Sequence, residues 1–289
     1  MQLFNTLKKQ ASFIAAVPAL IWQILFLYVP LLFLLSASFF KRWPVFNVYD
    51  LTFTNIAAVI TTAHFKIIGW SLIQAMTIAT ACLLVGYPVA YFFAVKMRRW
   101  KNFFLFFLML PFWTNFLVQA YAWFFVLERN GLLNRFLLSL GIIREPLQIL
   151  YSPFAVILVM FYCYLPFMIL PLYGVLEKFD LRLIEASLDL GATSSKTFFK
   201  ITLPLTMSGI RNGFLLVMVP AFGEYAIPAI MGGGRYLYVG SLISNYFLES
   251  RDPAVGSSFT TVSGCVILFI VLIISRVMAS PKQIQKQER

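Results

Sequence analysis

The sequence predicts an all-α integral membrane protein with six transmembrane helices. Three observations carry this. The 289 residues are 61% hydrophobic and only 12% charged, whereas a soluble domain runs near one quarter charged. The mean hydropathy is +0.84. The apolar residues also gather into charge-poor runs of at least the ~20 residues that cross a hydrocarbon core. Helices are the expected form, because they satisfy their own backbone hydrogen bonds in lipid.

Six runs qualify: residues 11–40, 67–95, 103–127, 147–176, 206–231 and 255–275. The first follows Lys8 and Lys9, as in a secretory signal. It stays charge-free for 30 residues, longer than a signal's apolar core, so it is expected to remain as an anchor. The fifth carries Arg211 and Glu224. Arg211 lies near one end and can snorkel out of the membrane. Prolines at 18, 30, 111, 153, 166, 171 and 220 fall within the runs and are candidate kinks.

The loops alternate in basic content. One side holds the N-terminus, the Lys96 to Lys101 turn, the 177–200 segment and the C-terminal tail, with 14 Lys and Arg against 8 on the other. The positive-inside rule then places both termini in the cytoplasm. The organisation expected is an N-terminal segment over 1–66 with the first span and an outer loop. A transmembrane domain over 67–275 follows, then a cytoplasmic tail over 276–289.

The net charge of +12 does not point to nucleic acid, since the basic residues flank spans rather than cover one face. Membrane lipid is their expected neighbour. Cys82, Cys163 and Cys265 lie in apolar runs with no CxxC pair, so packing is their expected role. The single histidine, His64, reads as a solvated loop residue and cannot build a histidine-rich metal site. No nucleophile, base and orienting group come together, so the chain is not expected to be an enzyme. Gly232, Gly233, Gly234 and Arg235 are not a phosphate loop, and no GxxxxGK[ST] stretch occurs anywhere. No cofactor is expected on this chain.

The polar segment from Glu185 to Pro204 is the most informative. Leu181 to Leu190 reads as a helix with Leu181, Ile184 and Leu188 on one stripe and Leu183 and Leu190 almost opposite. Two apolar faces imply cover on both sides. Gly191 is expected to end that helix, and Thr193 or Ser194 to cap the next. Phe198, Phe199 and Ile201 give the second helix an apolar face, and Pro204 is expected to stop it. One reading is a docking element for a cytoplasmic partner; the other is an amphipathic hairpin resting on lipid headgroups.

Glu185-Ala186-Ser187, Gly191, and Ile201-x-Leu203-Pro204 together resemble the EAA motif of ABC importer permeases of the MetI-like, type I fold. Ser187 departs from the motif's second alanine. The resemblance extends over most of 67–275. Pro111-Phe112-Trp113-Thr114-Asn115, Ala120 to Trp123, Asn130 to Asn134, Leu165 to Met168 and Gly223-Glu224-Tyr225-Ala226-Ile227-Pro228 look like spermidine/putrescine permeases. Gln119 stands where such permeases often carry a basic residue. The resemblance implies a coupling helix at Glu185–Pro204 seated on an ABC ATPase dimer, which binds ATP and magnesium. It also implies a second permease and a periplasmic or lipid-anchored binding protein. Cargo would be a polyamine, or else iron, thiosulfate or phosphonate.

For the substrate path the candidates are Glu224 and Tyr225, with Trp113, Asn115, Gln119 and Tyr121. A carboxylate within a span is costly and should face protein or a water-filled path. Pro220, Gly223 and Pro228 suggest a broken helix around it. Its alternative role is structural pairing. Asn115 and Gln119 are four apart and would share a helix face; they can line a path or simply bond neighbouring helices.

Overall fold

The computed structural model describes residues 17–40, 51–97 and 101–278. Lys8 and Lys9 with the start of the first span, Arg98 and Arg99, and the tail from Lys282 to Arg289 lie outside the described residues. In chain order the helices are α1 (Val17–Ala37), α2 (Thr54–Val59), α3 (Thr62–Val95), α4 (Lys101–Trp113) and α5 (Phe116–Leu127). Next come α6 (Leu132–Ser139), α7 (Pro153–Leu176), α8 (Arg182–Asp189) and α9 (Ser194–Leu205). Then follow α10 (Met207–Gly223), α11 (Ala226–Gly232), α12 (Val239–Ser244) and α13 (Pro253–Val277). Among the described residues the sole β feature is an isolated bridge between Phe40 and Leu51.

Helices α1, α3, α7 and α13 are each long and apolar enough to cross a membrane, and two bent pairs raise the number to six if each pair is one span. The expected six-span, all-α architecture is consistent with this. The ends differ in instructive ways. The fourth span begins at Pro153, not at 147, because Ser152 caps it by accepting the Ala155 N–H at 3.2 Å and proline suits the first helical turn. The third span is not continuous, and the fifth is bent away from the helix before it. α4 and the α5–α6 stretch meet at a bend of 85°, and α9 meets α10 at 65°.

The chain divides into two compact units. The smaller contains the described parts of 1–64 and 243–265. Within it, Ser38 and Thr261 share a hydrogen bond of 3.0 Å, and the buried Ser258 donates to the Ser38 carbonyl at 3.3 Å. His64 belongs here, and it is not the simply solvated residue expected. Its Nδ1 lies 2.6 Å from the Thr61 hydroxyl. Its Nε2 lies 2.8 Å from the Tyr246 hydroxyl, and its ring stands 5.2 Å from that of Phe259.

The larger unit, the described parts of 65–242 and 266–289, is built around α7. Its side chains Val156, Val159, Met160, Met168, Ile169 and Leu172 are almost wholly buried. α10 lies against it through Gly209 and Gly213, spaced four apart so that both fall on one face. A Cβ at position 213 would stand 2.9 Å from Met168 Sδ and 3.0 Å from the Met168 carbonyl. Such small-residue pairs let membrane helices approach closely, and van der Waals contact then replaces the missing hydrophobic drive. The loop after α5 is pinned by buried Asn134. Its amide donates to the carbonyls of Glu128, Arg129 and Leu147 and its oxygen accepts the Leu147 N–H at 3.0 Å.

Candidate functional site

The segment from Glu185 to Pro204 folds as two short helices. α8 ends where expected. Gly191 adopts φ +79°, its N–H donates to the Leu188 carbonyl at 2.9 Å, and Ala192 N–H donates to the Ser187 carbonyl at 3.1 Å. These two bonds complete a Schellman motif, which needs a left-handed residue at the position Gly191 occupies. Thr193 then caps α9 by accepting the Lys196 N–H. At the start of α8, Asp180 accepts the Arg182 N–H at 3.0 Å. Asp180, Arg182 and Glu185 border a cavity of about 510 Å³.

The two faces expected of this segment exist, with one change. The buried face centres on Ser187 rather than on a leucine stripe. Its hydroxyl meets that of Thr197 at 2.8 Å, and both residues are buried. This bond ties α8 to α9, so the departure of Ser187 from the alanine pattern has a structural reason. Leu183, Leu188, Leu190 and Phe199 are exposed, Leu190 at 89%. Glu185 and Ala186 are exposed beside them, while Ile201 and Leu203 are half-buried.

Pro204 does not stop the second helix. The helix widens to a π turn over Phe198–Thr202, runs through Pro204 to Leu205, and bends at Thr206. A proline ring crowds the carbonyl four residues earlier, and a π turn accommodates that crowding. Thr206 is fully buried. Its hydroxyl donates to the Thr202 carbonyl at 2.8 Å and is bonded to the Tyr87 hydroxyl at 2.9 Å. The Tyr87 ring also meets Phe198 edge-on at 5.6 Å. Tyr87 on α3 thus holds the joint between the polar segment and the fifth span.

The fifth span breaks at Glu224, as the surrounding Pro220, Gly223 and Pro228 suggest. α10 ends at Gly223, Glu224 is extended with φ −66° and ψ 131°, and α11 restarts at Ala226. Glu224 Oε1 accepts the Ala226 N–H at 2.9 Å. Its Oε2 accepts the Tyr164 hydroxyl of α7 at 2.7 Å. Arg211 lies 13 positions earlier on the same helix, about 20 Å away at ~1.5 Å per residue, so direct pairing with Glu224 is out of reach. Glu224 is half-buried and Tyr225 exposed. Gly240 seals the break: a Cβ there would fall 2.3 Å from the Gly223 carbonyl oxygen and 2.8 Å from that of Glu224.

The third span breaks at Thr114 and Asn115, which corrects the expected pairing of Asn115 and Gln119 on one helix face. Asn115 is the N-cap of α5 and accepts the Leu117 N–H at 2.8 Å. Gln119 reaches back across the break. Its amide donates to the Pro111 carbonyl and, at 2.6 Å, to the Thr114 hydroxyl. The polar run therefore satisfies backbone groups released by the break. Trp113 and Tyr121 are exposed.

Both breaks meet α7 at consecutive residues. Cys163 Sγ lies 3.9 Å from Gln119 Oε1, and Tyr164 holds Glu224. A cavity of about 150 Å³ opens beside Cys163 between Gln119 and Phe167. The sequence reading brings forward neither Tyr164 nor Tyr87, Thr197 and Gly240. Their partners lie from 10 to 119 residues away, beyond the reach of any local pattern.

Comparison with known proteins decides the family. Residues 86–281 match the family model described as binding-protein-dependent transport system inner membrane component. The chain belongs to this family. The permease is 39% identical over 254 residues to the spermidine/putrescine transport system permease protein PotB of Escherichia coli K12, covering 88% of this chain and 92% of that one. It is 38% identical over 271 residues to the PotB of Salmonella typhimurium SL1344, covering 93% of each. Among solved structures, a bacterial ABC transporter that imports alginate matches with TM-score 0.67 at 18% identity, over 96% of the permease and 98% of that chain. That last likeness speaks for the fold alone. Every candidate site residue of the permease, from Trp113 to Tyr225, lies inside the matched range.

Proposed function

We propose that this permease forms the membrane path of an ATP-driven importer of polyamines such as spermidine or putrescine. The observation that carries the reading is similarity to the PotB permeases along nearly the whole chain. Glu224 gives it a chemical basis: a carboxylate at a helix break, half-buried and beside the exposed ring of Tyr225, suits a flexible polycation. Both termini lie in the cytoplasm of a bacterial inner membrane. The permease pairs with a second permease around the path. Glu185, Ala186, Ser187, Gly191, Ile201, Leu203 and Pro204 dock an ABC ATPase dimer, which holds ATP and magnesium. A periplasmic or lipid-anchored binding protein delivers cargo to the opposite face. The exposed Leu183, Leu188 and Leu190 supply the apolar surface for docking.

Transport follows alternating access. ATP closes the nucleotide-binding subunits and draws the docking segments together. The Tyr87–Thr206 joint passes that movement to the fifth span, and the break at Glu224 opens toward the binding protein. This chain supplies the path and not the hydrolysis.

The test is uptake of radiolabelled spermidine and putrescine into vesicles holding the assembled transporter. Uptake is expected only with ATP and the binding protein; uptake driven by a proton gradient without ATP overturns the reading. Glu224→Gln is expected to raise the half-saturating spermidine concentration about tenfold, equivalent to ~1.4 kcal/mol, with assembly intact. Unchanged uptake kinetics in that variant would remove Glu224 from the path.

A further inference from the structure

The carboxylate of Glu224 has two protein partners of unlike character. Ala226 N–H is a backbone donor at the start of α11 and is fixed to Oε1 by the chain two residues on. Tyr164 is a side-chain donor from a different helix, 60 residues away, and it holds Oε2 at 2.7 Å. Its ring is buried, with 6% exposed, and stands 6.0 Å from Phe167. The Tyr164 hydroxyl is therefore the partner that can be exchanged without unwinding a helix.

We propose that Tyr164 is a specificity-determining residue of the path, its hydroxyl holding Glu224 until an ammonium group of the cargo takes its place. This rests on the polyamine reading above. A phenol brings no charge of its own to the carboxylate, whereas an ammonium adds the full Coulomb attraction of an ion pair. A primary or secondary ammonium can therefore displace Tyr164. A neutral sugar hydroxyl competes only on equal terms, and an anion is repelled. Selection thus comes from an occupant that only a cation can outcompete.

The exchange also has a mechanical result. The Tyr164–Glu224 bond ties α7 to the break between α10 and α11, while α10 is already locked to α7 through Gly209 and Gly213. Losing it leaves α10 in place and removes one tie between α7 and the residues beyond Gly223. α11 keeps its others, the Tyr151 N–H on the Met231 carbonyl at 2.8 Å and the buried Ile227 and Met231, so the freedom gained is confined to the backbone around Glu224, which still caps the first turn of α11. Cargo binding and freedom of the break become one event.

The test uses the assembled transporter in vesicles with Tyr164→Phe, which keeps the ring and removes the hydroxyl. The half-saturating concentration of spermidine is expected to fall about tenfold, since a bond to a charged group no longer has to be broken. ATP hydrolysis without cargo is expected to rise several-fold. A rise in half-saturation would make Tyr164 an orienting or direct ligand and overturn the exchange, as would unchanged values of both. A second measurement does not depend on that variant folding: 3-fluorotyrosine placed at position 164 keeps the hydroxyl and reports its bonding by fluorine NMR. Its resonance is expected to move when spermidine is added to the complex, and a fixed resonance under saturating spermidine overturns the proposal. Unaltered transporter that fails to take up spermidine at all would instead defeat the polyamine reading, and the exchange with it.

Discussion

Gly191→Val is expected to reduce uptake to background and uncouple ATP hydrolysis from cargo, while the protein still reaches the membrane. The reason is conformational. Gly191 sits at φ +79°, and among the described residues, its chain neighbours aside, no atom lies within 4 Å of a Cβ built there. A valine meets no clash within the permease, so folding of the spans is spared. It must nonetheless enter a left-handed conformation, which costs about 1–2 kcal/mol for an ordinary residue and is an outlier for a β-branched one. The Schellman closure at Leu188 and Ser187 is lost, and with it the angle between α8 and α9. Gly191→Asn separates two explanations, since asparagine tolerates that conformation. Substantial uptake by the asparagine variant, alongside none by valine, places the requirement in the backbone. Equal loss in both would place it in the space a docking partner needs.

Gly240→Ala is expected to damage both stability and uptake by the addition of a single methyl group. The added carbon falls 2.3 Å from the Gly223 carbonyl oxygen and 2.8 Å from both the carbonyl carbon and oxygen of Glu224. Those are backbone atoms, so no side-chain rotation relieves the overlap. Either α12 retreats or the break shifts, and the Tyr164–Glu224 bond is strained in both cases. Overpacking of this kind costs about 1–3 kcal/mol, up to a factor of ~100 in an equilibrium. The purified complex should melt at lower temperature, and spermidine uptake should fall at least about tenfold. An alanine variant with normal melting and uptake would show that the break is not held shut by close backbone contact. Gly223→Ala is the control, because among the described residues, its own helix turn and chain neighbours aside, nothing lies within 4 Å of a Cβ at that position.

Some of this was legible in the sequence, for identifiable reasons. Span positions follow from charge-free apolar runs, because the lipid requirement acts on every residue of the run. The break at Glu224 was readable because Pro220, Gly223 and Pro228 are local signals. So was the end of α8, since a glycine after an amphipathic turn has one common use. The third-span break is hidden in the sequence because Asn115 and Gln119 have helical spacing. In the structure Asn115 caps a new helix and Gln119 reaches backward, and a four-residue interval is compatible with both. Residue type alone makes Pro204 a stop, because proline cannot donate; a π turn upstream removes the conflict, and nothing in residue type marks it. The Gly209 and Gly213 pair was present but carried meaning only once a facing helix was known. Ser187 with Thr197, Tyr87 with Thr206 and Tyr164 with Glu224 are tertiary pairs without a periodic signature.

The Ser187–Thr197 bond carries a consequence for assembly. Together with the closure at Gly191 and the Thr193 cap, it means that α8 and α9 satisfy their own backbone and buried side-chain groups before any other subunit arrives. The surface proposed above to dock an ATPase is therefore held by bonds within this chain, and under that proposal a partner loses little freedom by ordering it. Such preorganisation lowers the entropic cost of association and spares the encounter a slow rearrangement. Subunits could then leave and rebind during a membrane protein's lifetime without the segment unfolding between visits. Its surface leucines, not its fold, would limit how long the solitary chain stays free of unwanted contacts.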